Sequence, residues 1–326
     1  MSFPKIILIL TVGLFSLIGA LALLKEKKED NLIVDNRIEE IAIDPEPELG
    51  QEIGLLEDGY EASIELPEAD RIHQLFAFGS SRLPIVETIT YSSRVPWLSD
   101  RPAWIADYAS YYSTTRHFIA RSLNQKPDYF TQKVSYGDKF NVLRKDIDLE
   151  FYLVIDISRL KLWFYSYDKT NEQRILLKTY DVGLGRKDDT RASKNLTPLG
   201  KYKLGDKVAI YKPGMKGYFQ DQKIEMIQVF GTRWIPFAEE LSGATEPAKG
   251  YGLHGAPWKE ESHSGHLEED LDKIGMYDSD GCVRLASKDI EEIFAIIITK
   301  PTTVEIVQDF QHADLPGHDF EQEESY

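Results

Sequence analysis

The sequence predicts a mainly β domain of sandwich or barrel type with one late helix. A small mixed α/β region and an apolar N-terminal segment precede it. Three observations carry this expectation. From residue 150 onward, β-branched and aromatic runs recur between turn residues, the pattern of short strands. Within that stretch only Ser287–Ile298 shows a clear helical period, with Asp289 and Glu291 in its first turn and Pro301 just beyond its end. Finally, charge is segregated along the 326 residues, whose formal net is −16. Residues 29–70 hold fifteen Asp/Glu against Arg37 alone, 311–326 carry −5, 1–28 carry +3, and 71–310 are neutral.

A neutral body lacks the clustered Lys/Arg that phosphate backbones require, which argues against nucleic acid as a partner. With 42% hydrophobic and 28% charged residues, 22 Gly, 15 Pro and one Cys, the chain is neither collagen-like nor a disulfide scaffold. Its length suits about two domains.

Taken in order, the first element is the uncharged run Ile6–Leu24 between Lys5 and Lys25-Glu26-Lys27-Lys28. At 1.5 Å per residue it is about long enough to cross a ~30 Å hydrocarbon core. Ala20-Leu21-Ala22 offers the alternative of a cleaved signal peptide, but the apolar run continues through it, which favours an uncleaved anchor over 1–24. Either way the rest is expected outside the cytoplasm, in the cell envelope and periplasmic or extracytoplasmic, with the cytoplasmic membrane as a partner of the N-terminal segment. Lipidation is excluded, because the sole cysteine is Cys282.

Residues 25–70, with Asp44-Pro45-Glu46-Pro47-Glu48 and Tyr60 as the only aromatic, read as an acidic flexible linker that limited proteolysis should cut first. Residues 71–149 read as an accessory region. A helix is expected to start near Ser99-Asp100-Arg101-Pro102, followed by Trp104, Tyr108, Tyr111, Tyr112, Ile119 and Leu123 at helical spacing, a stripe assigned to packing. A strand, Lys139–Leu143, follows the turn Tyr136-Gly137-Asp138. The main domain spans 150–308, with strands expected at Phe151–Ile157, Lys161–Tyr167, Lys178–Val182, Lys201–Leu204, Glu225–Phe230, Tyr251–His254 and Thr303–Val307. Residues 309–326 form an acidic tail.

Chemistry concentrates at Ser279-Asp280-Gly281-Cys282-Val283-Arg284. A single cysteine in an exported chain has no internal disulfide partner. Glycine before it permits a tight turn whose successive backbone N–H groups suit an oxyanion. Arg284 can stabilise a thiolate or dock a carboxylate. A free thiol titrates near 8.5 and so needs such help, or a base. His254, in Tyr251-Gly252-Leu253-His254-Gly255, is the candidate base, completing the minimum for thioester acyl transfer.

These residues resemble the YkuD-type L,D-transpeptidases, whose motif is a strand-borne His-Gly followed by Ser/Thr-His-Gly-Cys-x-Arg/Asn. His254-Gly255 and Ser279 to Arg284 occupy those positions. Tyr152–Asp156 with Leu160–Tyr165 is similar to the family's opening hairpin. Asp181-Val182-Gly183-Leu184-Gly185 with Thr197-Pro198-Leu199-Gly200-Lys201-Tyr202 is similar to its glycine and TPxG stretch. Two departures stand out: Asp280 replaces the histidine usual before Gly-Cys, and 28 positions separate His254 from Cys282, more than is usual. Pro257 to Gly275, rich in acids, is expected as a solvated loop.

The resemblance implies a YkuD-like β-sandwich or barrel-type catalytic domain acting on peptidoglycan stem peptides. It makes Cys282 the nucleophile and His254 the general base and acid, with backbone N–H groups of the Asp280-Gly281-Cys282 turn holding the oxyanion. Arg284, Ser279 and Gly255 are its substrate-binding candidates; Trp258 and Tyr251 are open between cleft lining and packing. The implied reaction is 3–3 cross-linking of a tetrapeptide donor with an amine acceptor, releasing D-Ala. An L,D-carboxypeptidase, or a decayed wall-peptide binder, are the alternatives. No cofactor is implied. A zinc set of His254, His263, His266 and Cys282 can be written, but residues 263 and 266 sit in a Ser/Gly/Glu loop where histidines are usually unliganded, so no metal is expected.

Overall fold

The computed structural model describes residues 65–124, 133–261 and 265–320, all within one compact unit. The anchor over 1–24, nearly all of the linker over 25–70, and residues 321–326 of the tail lie outside the described residues. Among the described residues, no helix is long and apolar enough to cross a membrane.

The first elements are α1 (Ile72–Phe76), β1 (Val86–Thr90), α2 (Ile105–Tyr111), α3 (Arg116–Asn124) and β2 (Lys139–Leu143). Next comes an antiparallel meander of β3 (Leu149–Asp156), β4 (Lys161–Asp168) and β5 (Gln173–Asp181). The chain continues through β6 (Leu184–Gly185), β7 (Gly200–Leu204), β8 (Ala209–Ile210), the hairpin β9 (Lys216–Phe219) and β10 (Gln222–Glu225), and α4 (Ile227–Phe230). It then forms β11 (Arg233–Ser242), β12 (Gly252–Gly255), β13 (Trp258–Glu260), β14 (Leu267–Glu269), β15 (Tyr277–Ser279) and β16 (Val283–Leu285). Last are α5 (Ser287–Ile297), β17 (Thr302–Val307) and β18 (His318–Asp319).

Ten strands make one mixed sheet in the order β16-β12-β11-β7-β17-β3-β4-β5-β18, with β8 on β11. The sheet curls as a half-barrel. The domain is thus mainly β, as expected, and of the two expected forms the curled sheet is nearer the barrel than the sandwich. β12 runs parallel to β16, and β17 parallel to β3. Parallel pairing needs a crossover, and α5 supplies one by returning the chain from the β16 edge to the middle of the sheet.

Alternation along the central strands decides which face each side chain covers. Phe151, Leu153, Ile155, Leu162 and Phe164 face α5, whose Ile290, Ile293, Phe294 and Ile297 complete the main core. Tyr152, Val154, Trp163, Tyr165 and Val307 form a second layer on the opposite face, covered by Leu66, Ala69, Phe310 and Leu315. Both faces are therefore buried, which is why β3 reads as an unbroken apolar run. The covering segments come from stretches expected to be solvated. Pro67 O accepts from Trp163 Nε1 at 2.7 Å, and Asp319 forms an ion pair with Arg174 at 2.9 Å. Thus 65–70 and 309–320 pack on the sheet.

Two further expectations change. Glu225–Phe230 is not one strand: β10 ends at Glu225 and α4 follows. An apolar run this short does not distinguish the two states. Here Gly231, at φ 59, stops the helical turn where a Cβ would stand 2.5 Å from the Gly255 backbone. The 104–123 stripe is two helices, interrupted at Ser113, whose φ is 47. Tyr108 and Ile119 are core, whereas Trp104 is 68% and Tyr111 37% exposed.

The early helices join the main domain through a seam. Thr115 Oγ1 donates to Ala295 O on α5, and Thr299 Oγ1 donates to Ser113 O at 2.8 Å. Asn141, fully buried, donates from Nδ2 to Leu75 O and Ala77 O at 2.9 and 2.7 Å and accepts from Thr88 Oγ1 at 2.7 Å. Replacing it strands two carbonyls without donors. Asn141→Ala should lower the free energy of unfolding by about 3 kcal/mol, read from the urea midpoint.

Candidate active site

The site is built on the parallel pair β12 and β16. Leu253 is in register with Val283, His254 with Arg284 and Gly255 with Leu285. Leu253, Val283 and Leu285 are fully buried in the core. Strand alternation therefore turns His254, Arg284 and, one step before β16, Cys282 to the other face. Cys282 and His254 are diagonal neighbours across this pair.

The stretches that carried the family resemblance are the frame beneath this pair. Gly183 exchanges both backbone hydrogen bonds with Arg284, at 2.8 and 2.9 Å. β6 pairs with β15, the strand entering the cysteine turn. Buried Thr197 accepts from Gly185 N–H at 2.8 Å, and Arg186 N–H donates to Ser279 O at 2.9 Å.

His254 is 4% exposed, boxed by Phe230 at 5.5 Å and Trp234 at 6.0 Å between ring centroids. Its Nδ1 lies 2.7 Å from Gly255 O, which makes Nδ1 the protonated nitrogen and leaves the Nε2 lone pair free. Burial lowers its pKa to about 4, opposed by the Gly255 carbonyl and assisted by the Arg284 charge. The folded value thus lies below the ordinary 6.5, so the unfolded chain binds the extra proton first as pH falls. Stability from this site is fully present above about pH 6.5 and is lost toward pH 4, by about 3 kcal/mol. His254→Gln should flatten that part of the stability–pH curve, measured by urea unfolding at pH 4.5 and 7.

Cys282 is partly buried. Burial pushes its thiol up to about 11; the Gly252 backbone N–H and Arg284 pull it down, and Asp280 adds a smaller upward push. Its Sγ lies 3.6 Å from Gly250 O. At neutral pH, therefore, both thiol and imidazole are uncharged. A preformed thiolate is thus not the resting state of this cysteine.

The turn itself is shaped by two residues. Gly281 has φ 118, and a Cβ there would stand 2.6 Å from the Tyr251 ring and 2.7 Å from Leu196 O. Ser279, 1% exposed, donates from Oγ to Cys282 O at 2.6 Å and accepts from Gly281 N–H at 3.1 Å. The structure so places Ser279 inside the turn, away from solvent. Gly281 N–H is already engaged, whereas Cys282 N–H has no hydrogen-bond partner among the described residues. Gly255 supplies the carbonyl for His254 and gives room for Gly231.

Arg284 is largely buried and lies 3.4 Å from Asp278 Oδ2, with its Nε unpartnered among the described residues. Asp280 points outward and pairs with Arg186 at 2.5 Å, both exposed. Its charge is answered by Arg186. Tyr251 backs the turn and accepts from Arg191 at 3.3 Å; Trp258 lies near Ser287, its Nε1 3.4 Å from Ser287 Oγ. Sequence reasoning missed Arg186, Arg191, Phe230 and Trp234. Only Arg186, directly after the Gly183-Leu184-Gly185 turn, carried any signal. His263 of the written zinc set lies outside the described residues, and among the described residues no His/Cys/Asp/Glu group is arranged to hold a metal.

Residues 150–306 match the YkuD family, described as the L,D-transpeptidase catalytic domain. This part of the chain belongs to that family, and the curled mixed sheet described above is its frame. Similar solved structures include Bd1075 of Bdellovibrio bacteriovorus, at 17% identity over 49% of this chain and 48% of that chain, TM-score 0.31. Another is the helical cell shape determining protein Pgp2 of Campylobacter jejuni, at 17% identity over 52% of this chain and 50% of that chain, TM-score 0.30. The chain thus spans about half the length of these structures. No curated protein matches the sequence.

Proposed function

We propose that the chain is an extracytoplasmic peptidoglycan L,D-transpeptidase that forms 3–3 cross-links through a Cys282 thioester. The observation that carries this reading is the placement of Cys282 and a neutral, Nδ1-protonated His254 on one face of β12 and β16, inside the family-matched domain. Cys282 Sγ attacks the carbonyl of the third stem residue, a diamino acid, while His254 Nε2 takes the thiol proton. The carbon–nitrogen bond to D-Ala breaks as that proton passes to the departing amine. Cys282 N–H, the donor left free in the turn, faces the oxyanion. An acceptor amine then attacks the thioester, giving its proton to Nε2, from which it returns to the sulfur. Ser279 is a positioning residue for the turn, and Arg284 supports the thiolate developing at Sγ.

Incubation with disaccharide-tetrapeptides tests this by mass spectrometry. Tetrapeptide–tripeptide dimers with loss of D-Ala are expected. Tripeptide monomers alone would make the enzyme an L,D-carboxypeptidase, and unchanged tetrapeptide would leave a wall-peptide binder. Thiol labelling does not separate these readings, since a protonated resting thiol labels slowly in each. Because Asp280 is exposed and held by Arg186, Asp280→His and Asp280→Asn should change turnover by no more than about threefold. Rescue of an inactive protein by Asp280→His would instead establish the decayed site.

A further inference from the structure

Behind the sheet, away from Cys282, α1, α3, β5 and α5 enclose a cleft of about 740 Å3 lined by Asp70, Ile72, His73, Phe76, Arg121, Lys178 and Glu292. That volume lies within the range of small-molecule sites. Its anomaly is Arg121. The guanidinium is buried enough to depress its pKa, and its Nε has no hydrogen-bond partner among the described residues. Glu292 and Glu291 act on its charge, yet neither forms an ion pair with it within 4 Å. A partly buried guanidinium without an ion pair is costly, so a carboxylate that pairs with its cleft-facing edge gains part of that cost back.

The other wall is acidic and already shares one cation. Lys178 Nζ lies 2.8 Å from Glu292 Oε1, 3.4 Å from Asp289 Oδ1 and 3.8 Å from Asp70 Oδ2. Tyr180 OH also donates to Glu292 Oε1, at 2.8 Å. Glu292 Oε2 and the Asp70 carboxylate accept no hydrogen bond among the described residues. Three carboxylates against Lys178 and Arg121 disfavour a multiply charged anion such as phosphate. They suit a ligand carrying one carboxylate and one ammonium.

We propose that this cleft binds a small zwitterion, an amino acid or short peptide with free termini. Arg121 takes its carboxylate in a bidentate fork, and Asp70 with Glu292 Oε2 takes its ammonium. The inference does not depend on the chemistry proposed for Cys282.

Calorimetric titration of the intact protein with glycylglycine, acetate and ethylamine tests it. Glycylglycine should bind about tenfold or more tighter than acetate, and ethylamine should bind more weakly than either. Arg121→Gln should weaken glycylglycine about tenfold or more and Arg121→Lys less, whereas Asp70→Asn should weaken glycylglycine and leave acetate unchanged. Folding of each variant is followed by circular dichroism. Absence of glycylglycine binding, or ethylamine binding as tight as the dipeptide, overturns the proposal in the wild-type protein alone, even if a variant fails to fold. Undiminished binding by folded Arg121→Gln overturns it as well.

Discussion

Cys282→Ala and His254→Ala should each lower D-Ala release by at least about a thousandfold, and the double variant should be little worse than either. A nucleophile and its base act as one unit, so the second removal has nothing left to take away. The uncharged resting pair sharpens this expectation. With the thiol near 11 and the imidazole near 4, neither group reacts efficiently without the other. Cys282→Ser should be nearly as inactive, because a hydroxyl ionises far less readily than a thiol. The pH profile should be a broad plateau with an acid limb near 4 and an alkaline limb toward 11. Fold is expected to survive loss of the sulfur, which circular dichroism checks. Substantial turnover by folded Cys282→Ala would end the thiol mechanism.

Gly281→Ala should cost about a hundredfold in turnover and about 2–4 kcal/mol in stability. The positive φ strains any L side chain, and the new methyl group meets a backbone carbonyl, which cannot move aside as a flexible side chain would. The Tyr251 ring is the softer of the two obstacles, so Tyr251→Ala should recover only part of the loss. The change in turnover is measured as D-Ala release and the change in stability by urea unfolding. Wild-type values for both would show that the turn does not depend on this contact. Full recovery by Tyr251→Ala would remove Leu196 O as the obstacle.

By itself the sequence determined β3, β4, β7, β12 and β17 of the main domain, the late helix and the cysteine and histidine candidates, whereas it missed β11 and read Glu225–Phe230 as a strand. The features it determined are local: alternation and apolar runs mark buried strands, and a lone cysteine after glycine is conspicuous wherever the chain goes. Tertiary structure decided that the sheet is mixed, because direction of pairing depends on where α5 carries the chain, not on the composition of β16 or β17. It decided that 65–70 and 309–320 cover the second face, since their acidity hid Leu66, Ala69, Phe310 and Leu315. It also set the protonation of the site. Nothing near His254 in sequence announces the Phe230 and Trp234 box that desolvates it, and Arg186 reaches Asp280 across 94 positions. Burial and charge neutralisation are properties of neighbours in space, and a chain read residue by residue carries them only where those neighbours are also close in sequence.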